Sequence, residues 1–359
     1  MGQCCSSPRS RGEVLGKDPP VEVEVESQYL TLHPSVENDS PLLNLPVELY
    51  QQVSSKLDEC SAASLALASR ASYHLREPQA LASVSNSQPA RSEFLQLLER
   101  DPNVGDRLFF CDMCTKLHPF QDHWGPDKSW GEFMSISRFG NYKHHTIGLN
   151  LLGTSVDINW YHARLAMNRH LHGSPCGIGI GNLSMTTRPQ IAGSRKSVHT
   201  TRARIVDDKL IVRIHHVLTP VWPDVPAETF RQDVLSWTLY VCPHTAVGSC
   251  FALRPASLPE LEPRDDGRGM VFRPCRDSVS SCKRCNSDFS VTIEGGDDAS
   301  GRSSGGYRIT VISYHMVGAC RSPWDKDCVS LFDCYSSHLR NLRRHPRGSV
   351  IKKWCSLSK

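Results

Sequence analysis

The stretch TRARIVDDKLIVRIHHVL, residues Thr201–Leu218, decides the fold class because it predicts a β-hairpin. Two runs rich in β-branched residues flank Asp207 and Asp208, and such a pair of turn-forming residues is typical of a hairpin loop. His215 and His216 are neighbours on the second strand, so we expect their side chains to point to opposite faces of the sheet. The centre of the chain is therefore predicted to be antiparallel sheet.

The sequence on either side of this hairpin adds strands and helices. The segments Phe289–Glu294 and Tyr307–Met316 predict a second pair of strands, joined by a loop rich in Gly and Ser. Upstream, Ser92–Asp101 and Asp157–Gly173 predict helices, because each begins at a capping residue and ends at or before Gly or Pro. Residues 92–335 are thus predicted to form an α+β domain with a mixed, largely antiparallel sheet.

The segments outside this domain have a different composition. Residues 1–40 are rich in Ser, Pro and charge, which predicts a disordered tail, and the Ser-rich residues 79–91 predict a linker. From Arg340 onward the chain has seven Lys or Arg and no Asp or Glu. This pattern favours a solvated basic tail over residues 336–359, with contact to anionic lipid as the alternative. No nucleic acid is expected as a partner, because no recognised reader motif accompanies the charge.

The first six residues, MGQCCS, fit the pattern for N-myristoylation of Gly2. Cys4 and Cys5 lie where palmitate is commonly added, and stable anchoring needs such a second lipid because one myristoyl chain binds membranes only marginally. The 359-residue chain has a net charge of +4 and no apolar run long enough to span a bilayer. We therefore expect a cytoplasmic protein, attached to the cytoplasmic face of a membrane when lipidated, with the nucleus as an alternative location.

Fifteen cysteines are many for such a chain, and an intracellular protein keeps its thiols reduced. Paired cysteines are therefore interpreted first as metal ligands, with buried small residues as the alternative. The candidate ligands of a structural Zn²⁺ are Cys111, Cys114 and His118 in one stretch, Cys242 and His244 in a second, and Cys282 and Cys285 in a third.

Three assemblies of these ligands are possible. The favoured one joins Cys242 and His244 to Cys282 and Cys285 in a single site. Alternatively, the two Cys-x-x-Cys pairs form a four-cysteine site, or the first stretch recruits a distant fourth ligand. A redox role for Cys282 and Cys285 is a weaker hypothesis; Lys283 and Arg284 would lower their thiol pKa values.

The segment LLNLPVELYQQVSSKLDECSAASLALASR, residues 42–70, predicts two short helices. Pro46 and Glu48 suit a first helical turn, and Ser61 suits the cap of the second helix. Helices of about ten residues are marginal alone, so their apolar faces must pack against something else.

This segment resembles an F-box. The resemblance is carried by Leu-Pro with Glu two residues on, a Leu before a short turn, and a Leu-rich helix that ends in Ser-Arg and an aromatic residue. These are Leu45, Pro46, Glu48, Leu57, Leu65, Leu67, Ser69, Arg70 and Tyr73. Tyr73 departs from the usual Trp, and several usual Ile or Leu positions are Ser or Ala. The chain also resembles a fungal class of F-box proteins that carries two later Cys-containing elements, present here as Cys111–Phe120 and Ser281–Phe289.

The resemblance implies that residues 41–78 insert into the Skp-type adaptor of a cullin-RING ubiquitin ligase, while the remaining domain selects a protein substrate. The adaptor contacts that it implies are Leu45, Pro46, Leu49, Val53, Leu57, Leu65 and Leu67. The expected function is thus substrate recognition in such a ligase, without an enzymatic activity of its own. The alternative is a zinc-stabilised protein-binding scaffold with no ligase role.

Overall fold

The fold class is α+β, as predicted, because the chain combines helices with an antiparallel sheet. The computed structural model describes residues 41–42, 45–112, 114–126, 148–149, 158–236, 239–242, 244–247, 264–265, 270–295, 307–332 and 345–356. The predicted lipidation residues and the rest of the tail over residues 1–40 lie outside this part of the chain. None of the described helices is both long and apolar enough to cross a bilayer.

The helices and strands have the following bounds. The helices are α1 (Val47–Ser54), α2 (Glu59–Ala68), α3 (Arg70–Asn86), α4 (Gln88–Leu98), α5 (Pro102–Gly105), α6 (Trp160–His172), α7 (Ala227–Ser236), α8 (Lys326–Phe332) and α9 (Ser349–Cys355). The strands are β1 (Leu108–Cys111), β2 (Lys116–Pro119), β3 (Gly148–Leu149), β4 (Ile158–Asn159), β5 (Met185–Thr186), β6 (Gln190–Ala192), β7 (Arg195–Val206), β8 (Lys209–Pro220), β9 (Leu239–Cys242), β10 (Thr245–Val247), β11 (Arg264–Asp265), β12 (Met270–Val271), β13 (Cys275–Ser281), β14 (Ser287–Glu294) and β15 (Arg308–Gly318).

The main antiparallel sheet has the strand order β13-β14-β15-β8-β7-β5, and β6 also pairs with β7. The predicted hairpin lies at its centre, as β7 and β8. Asp207 and Asp208 have φ values of 50° and 53°, which is the backbone that a two-residue hairpin turn of the primed type requires. The predicted pairing of the two later strands is also confirmed, as β14 and β15.

One face of this sheet is buried beneath helices and loops. At one end, Leu210, Val212 and Ile214 of β8 pack in a cluster with residues of α6 and of α8. At the other end, Leu218 of β8 packs with residues of α7, β14 and β15. Because strand residues alternate between faces, both clusters use the same alternate positions of β8. We call this the inner face.

The other face is covered in part by α9, which contradicts the prediction of a solvated basic tail over the described part of that segment, residues 345–356. Val350 and Trp354 of α9 are buried against Tyr314 of β15 and its neighbours. Asp288 of β14 accepts hydrogen bonds from the backbone N–H groups of Gly348, Val350 and Ile351, at 3.2, 2.7 and 3.2 Å. A carboxylate at a helix N-terminus satisfies N–H groups that have no partner within the helix. The C-terminal segment over residues 345–356 is therefore part of the α+β domain.

Helices α2, α3 and α4 form one packed unit, with Cys60, Ala63, Val84 and Phe94 buried between them. The linker predicted over residues 79–91 is wrong, because these residues lie in α3 and α4. The Ser side chain at position 87 instead caps α4, accepting a hydrogen bond from the Ala90 N–H. The helical unit therefore continues from the predicted boundary at residue 78 to Leu98.

Other predicted helix starts also move by a few residues. Asp58, rather than Ser61, caps α2, since its carboxylate accepts the Ser61 N–H at 2.9 Å. Asn159, rather than Asp157, precedes α6, where the His162 ring accepts the Asn159 N–H at 3.1 Å in a capping box. The helix predicted from Ser92 begins at Gln88.

Contacts within the chain separate Met1–Val53 from Ser54–Lys359, so most of α1 is described by itself. The Tyr50 N–H donates to the Pro46 carbonyl at 3.0 Å, so Pro46 stands immediately before α1 and not inside the first turn, where it was predicted. Tyr50 is buried, whereas Val47, Leu49 and Val53 of this helix are 42%, 46% and 44% exposed. Helix α1 thus presents apolar side chains to solvent.

A buried ion pair joins the end of α4 to the α+β domain. The Glu99 carboxylate accepts hydrogen bonds from Arg164 Nε at 3.1 Å and from the Phe110 N–H at 2.9 Å, and both charged side chains are almost completely buried. Arg164 also stacks over the rings of Phe110 and Trp160. Breaking one partner of such a pair leaves a buried charge without compensation, so this contact fixes α4 on the domain.

Candidate metal centre

Two pairs of strands carry the residues of the principal site. Cys242 ends β9, and His244 stands immediately before β10. Cys282 follows the last residue of β13, and Cys285 stands two residues before β14. The site therefore lies where the β9–β10 connection meets the β13–β14 connection. Each connection contributes two side chains.

These four side chains, which we call the four-residue group, form a compact and buried cluster. One ligand atom from each of Cys242, His244, Cys282 and Cys285 lies within 4.8 Å of all the others. Tetrahedral Zn²⁺ with Zn–S bonds of about 2.3 Å places its sulfur ligands roughly 3.8 Å apart, so this spacing suits such an ion. His244 Nδ1 is buried and has no hydrogen-bond partner in the described part of the chain, and a bound metal ion would satisfy such a nitrogen. The group is thus positioned to hold a metal ion.

The turn from Cys282 to Ser287 presents its sulfurs to one point. The Cys282 N–H donates to the Ser287 carbonyl at 2.9 Å, and the Ser287 N–H donates to the Cys285 carbonyl at 2.8 Å. The Arg284 N–H points at Cys282 Sγ, at 3.3 Å. Backbone N–H groups directed at a sulfur stabilise its thiolate form, which is the form that binds metal.

The three thiols do not ionise alike. Hydrogen bonds from Cys242 and then Cys285 lower the pKa of Cys282. Burial raises the pKa of Cys242 to about 12, and hydrogen bonds with Cys242 and Cys282 raise the pKa of Cys285. The pKa of Cys282 is lowered, as predicted, but the pKa of Cys285 is raised, against the prediction, and the predicted cause is wrong. Neighbouring thiols supply the effect, and Arg284 contributes through its backbone N–H rather than its charge.

A chain of buried hydrogen bonds runs from this group along the inner face. Cys285 Sγ lies 3.2 Å from Ser287 Oγ, which lies 2.9 Å from Nδ1 of His315. Nε2 of His315 lies 2.8 Å from Ser313 Oγ. All three residues beyond Cys285 are completely buried. These three residues were not predicted from the sequence, although the alternation in β15 puts Ser313 and His315 on the same face.

If Cys285 binds a metal as a thiolate, its sulfur can only accept a hydrogen bond. The Ser287 hydroxyl then donates to Cys285, His315 Nδ1–H donates to Ser287, and the Ser313 hydroxyl donates to Nε2 of His315. Partners of this kind orient a metal ligand and tune its basicity. Ser287, His315 and Ser313 are therefore arranged to hold Cys285 in its metal-binding form.

A second group, which we call the three-residue group, lies on the β1–β2 hairpin. It consists of Cys111, Cys114 and His118, whose ligand atoms also lie within 4.8 Å of one another. Cys111 is buried, but Cys114 and His118 are partly exposed. Cys114 Sγ lies 2.9 Å from His118 Nε2, and a hydrogen bond with Cys111 raises the pKa of Cys114.

The structure thus distinguishes the three predicted assemblies. It brings together Cys242, His244, Cys282 and Cys285, which is the assembly that the sequence favoured. The four-cysteine alternative is wrong, because the two Cys-x-x-Cys pairs belong to separate groups. The third assembly remains a prediction, since the three-residue group has no fourth Cys, His, Asp or Glu ligand among the described residues.

The residues predicted to contact an adaptor lie in both units of the chain. In the first unit, Leu45 is half-buried, and Pro46, Leu49 and Val53 are exposed. In the second unit, Leu57 and Leu67 are 37% and 47% exposed. Leu65 is half-buried on α2.

Comparison with known proteins adds no family: no family model, no curated protein and no solved structure matches the chain.

Proposed function

We propose that this protein is a substrate-recognition subunit of a cullin-RING ubiquitin ligase, which binds a Skp-type adaptor through its N-terminal helices. The observation that carries the proposal is the exposure of Leu49, Val53, Leu57 and Leu67. These large apolar side chains come from the set that the F-box resemblance assigns to the adaptor. Apolar helix positions exposed to solvent are typical of a helix that docks in the groove of a partner.

Under this proposal the α+β domain selects the target, and Zn²⁺ stabilises it. Three thiols and one imidazole are donors that Zn²⁺ prefers, and a site with all four positions filled by protein is structural rather than catalytic. When bound, the ion would fix the β9–β10 connection against the β13–β14 connection. The protein then contributes binding surfaces, and the ubiquitin chemistry belongs to other subunits.

Adaptor binding is tested with the double variant Leu49→Asp/Val53→Asp. Both side chains are exposed, so thermal unfolding should stay within about 0.5 kcal/mol of the wild type. Co-purification with the adaptor should be lost, because two carboxylates would have to enter an apolar groove. The matched control is Ile191→Asp, since Ile191 is 66% exposed and lies on β6 outside the helices.

The outcome decides between two functions. If the wild type does not bind the adaptor, or if the double variant binds as well as the control, the ligase proposal is wrong. The second candidate is a zinc-stabilised scaffold for protein binding. It is favoured by the continuous packing of α2 and α3 on α4, and by the ion pair between Glu99 and Arg164, which leave no linker before the domain.

A further inference from the structure

We call the face of the main sheet opposite the inner face the outer face. Helix α9 covers only one half of it. The register puts Arg202 of β7 directly opposite Arg213 of β8, and Thr200 opposite His215. Alternation along β7 and β15 adds Lys196 and Arg308 to the same face. We call the set Lys196, Arg202, Arg213, His215 and Arg308 the arginine face.

The positive charge of this face is not neutralised within the described residues. None of its Lys and Arg side chains forms an ion pair there. Among the described residues, Glu294 lies directly opposite Arg308 at the edge of the face without forming an ion pair with it, and the Asp277 N–H donates to Thr292 Oγ1. Burial, and then the charges of Arg213, Arg308 and Arg202, lower the pKa of His215. A neutral His215 lies within a positive field.

Folding does not explain this arrangement. Like charges directly opposite each other on adjacent strands destabilise a sheet by a few tenths of a kcal/mol or more. Arg213 is nevertheless held in place, with its guanidinium 5.8 Å from the ring centre of Tyr314. A guanidinium whose position is fixed by a neighbouring side chain is preorganised for an anionic group.

The chemistry favours a protein segment over other anions. Arg202 and Arg213 lie directly opposite each other on adjacent strands, about 5 Å apart, so both guanidinium groups can reach one carboxylate or phosphate. Alternate side chains of an extended peptide point to the same side, so such a peptide can present a row of anions to the face. Arg forks bind carboxylate and phosphate groups in pairs. Half-buried Val198, Thr200, Val217 and Thr310 lie among the cations. Among Phe, Tyr and Trp, β7, β8, β14 and β15 put only Tyr314 on this face, and it is buried against Trp354, so the half-buried His215 is the one ring that these strands could offer a base.

We infer that the arginine face binds an extended acidic segment of a partner protein, with carboxylates or phosphates on alternate residues. This inference rests on the proposed function and deepens it, since such a segment is the substrate class that the α+β domain would select. Charge complementarity makes the binding fast and sensitive to salt.

The test uses the full chain and a fluorescent peptide of alternating Glu and Thr. A phosphoserine version separates phosphate from carboxylate, and a Gln version removes the charge. The variant Arg202→Glu/Arg308→Glu reverses two exposed charges of the face. The matched control, Arg100→Glu/Arg107→Glu, makes the same change in net charge at exposed residues near α4 and α5. Vesicles containing phosphatidylserine and oligouridine RNA serve as competing ligands.

We expect a charged peptide to bind, the Gln peptide not to bind, and the double reversal to weaken binding about tenfold or more, with no change in the control. The inference is wrong if neither charged peptide binds, or if the two variants lose affinity equally. It is also wrong if only vesicles or RNA bind through these arginines. Adaptor co-purification of the same variants keeps the two proposals separate, because Arg202 and Arg308 lie outside the adaptor residues. Peptide binding without adaptor binding would support this binding surface and contradict the ligase proposal.

Discussion

The four-residue group and the three-residue group use the same Cys-x-x-Cys spacing and differ in what surrounds them. The first joins two connections beside the main sheet and is buried on all sides, and it has four ligands. The second lies within a single hairpin, with Cys114 and His118 partly exposed. The comparison shows that the motif supplies only half of a site. Whether the ion stabilises the fold depends on whether distant parts of the chain meet at it.

The largest effect is expected from Cys285→Ser. Loss of one thiolate should release the ion and separate the β9–β10 connection from the β13–β14 connection. The free energy of unfolding should fall by on the order of 5 kcal/mol, because binding energy at a structural metal site is folding energy. Thermal unfolding and metal analysis on the same samples measure both consequences.

The control for this change is Cys355→Ser, because Cys355 is exposed on α9 and belongs to neither group. It should keep the wild-type metal content and stability. Purified wild type with less than about half an equivalent of Zn²⁺ would contradict the structural role. Reversible oxidation of Cys282 and Cys285 in place of metal binding would instead support the redox alternative.

At pH 5, protonation of His162 alone should lower the free energy of unfolding by about 2 kcal/mol. This contribution must be subtracted before the stabilising effects of the two metal-ligand groups are compared at low pH. Burial lowers the pKa of His162 to about 3. The unfolded chain, with a pKa of about 6.5, therefore binds more protons, so stability falls as the pH drops from about 6.5 towards 3. The expected loss is about 1.4 kcal/mol per pH unit, or about 2 kcal/mol at pH 5.

Urea unfolding of the wild type and His162→Gln at pH 7 and pH 5 isolates this contribution. Gln at this position can still accept the Asn159 N–H, so the cap of α6 is kept without the titration. The stability of the wild type relative to the variant should fall by about 2 kcal/mol on acidification, because only the wild type carries the titrating group. Parallel pH profiles would show that His162 does not titrate in this way.

Ser287→Ala tests whether the hydrogen bonds of the inner face raise the Zn²⁺ affinity of the four-residue group. Without the hydroxyl, the Cys285 thiolate loses a donor and His315 loses the partner of its Nδ1. Zn²⁺ affinity, measured by competition with a chromophoric chelator, should fall about tenfold. Ser290→Ala is the matched control, because Ser290 is a buried serine of β14 on the opposite face. Equal affinities in the two variants would remove Ser287 from the site.

Local pattern was sufficient to predict the central sheet and the ligands of the four-residue group. The paired strands follow from β-branched runs around Asp207 and Asp208, and the ligands follow from spacing and residue type. Ser287 and His315 were missed because a metal motif names its ligands and not the groups that orient them. Alternation from Cys285 to Ser287 was the available signal.

The wrong predictions concern segments in which one residue type can have two structural roles. Ser87 and Pro89 suggested a linker, yet Ser at a cap and Pro in a first turn are also how a helix begins. At the C-terminus the basic charge hid Val350 and Trp354, whose i, i+4 spacing gives α9 an apolar side. Only tertiary packing, with Asp288 at the helix start, decides between these alternatives.

The smallest effect is expected from Cys114→Ser. Cys114 is partly exposed and its ligand partners lie on the same short hairpin, so an ion there closes a loop of only a few residues. Closing so short a loop removes little conformational entropy from the unfolded chain. The free energy of unfolding should therefore change by less than about 1 kcal/mol. If two ions are bound, this variant should lose the one that a chelator removes faster, because solvent reaches Cys114. A loss of stability as large as that of Cys285→Ser would instead mean that a distant ligand completes the three-residue group, and the contrast between the two groups would disappear.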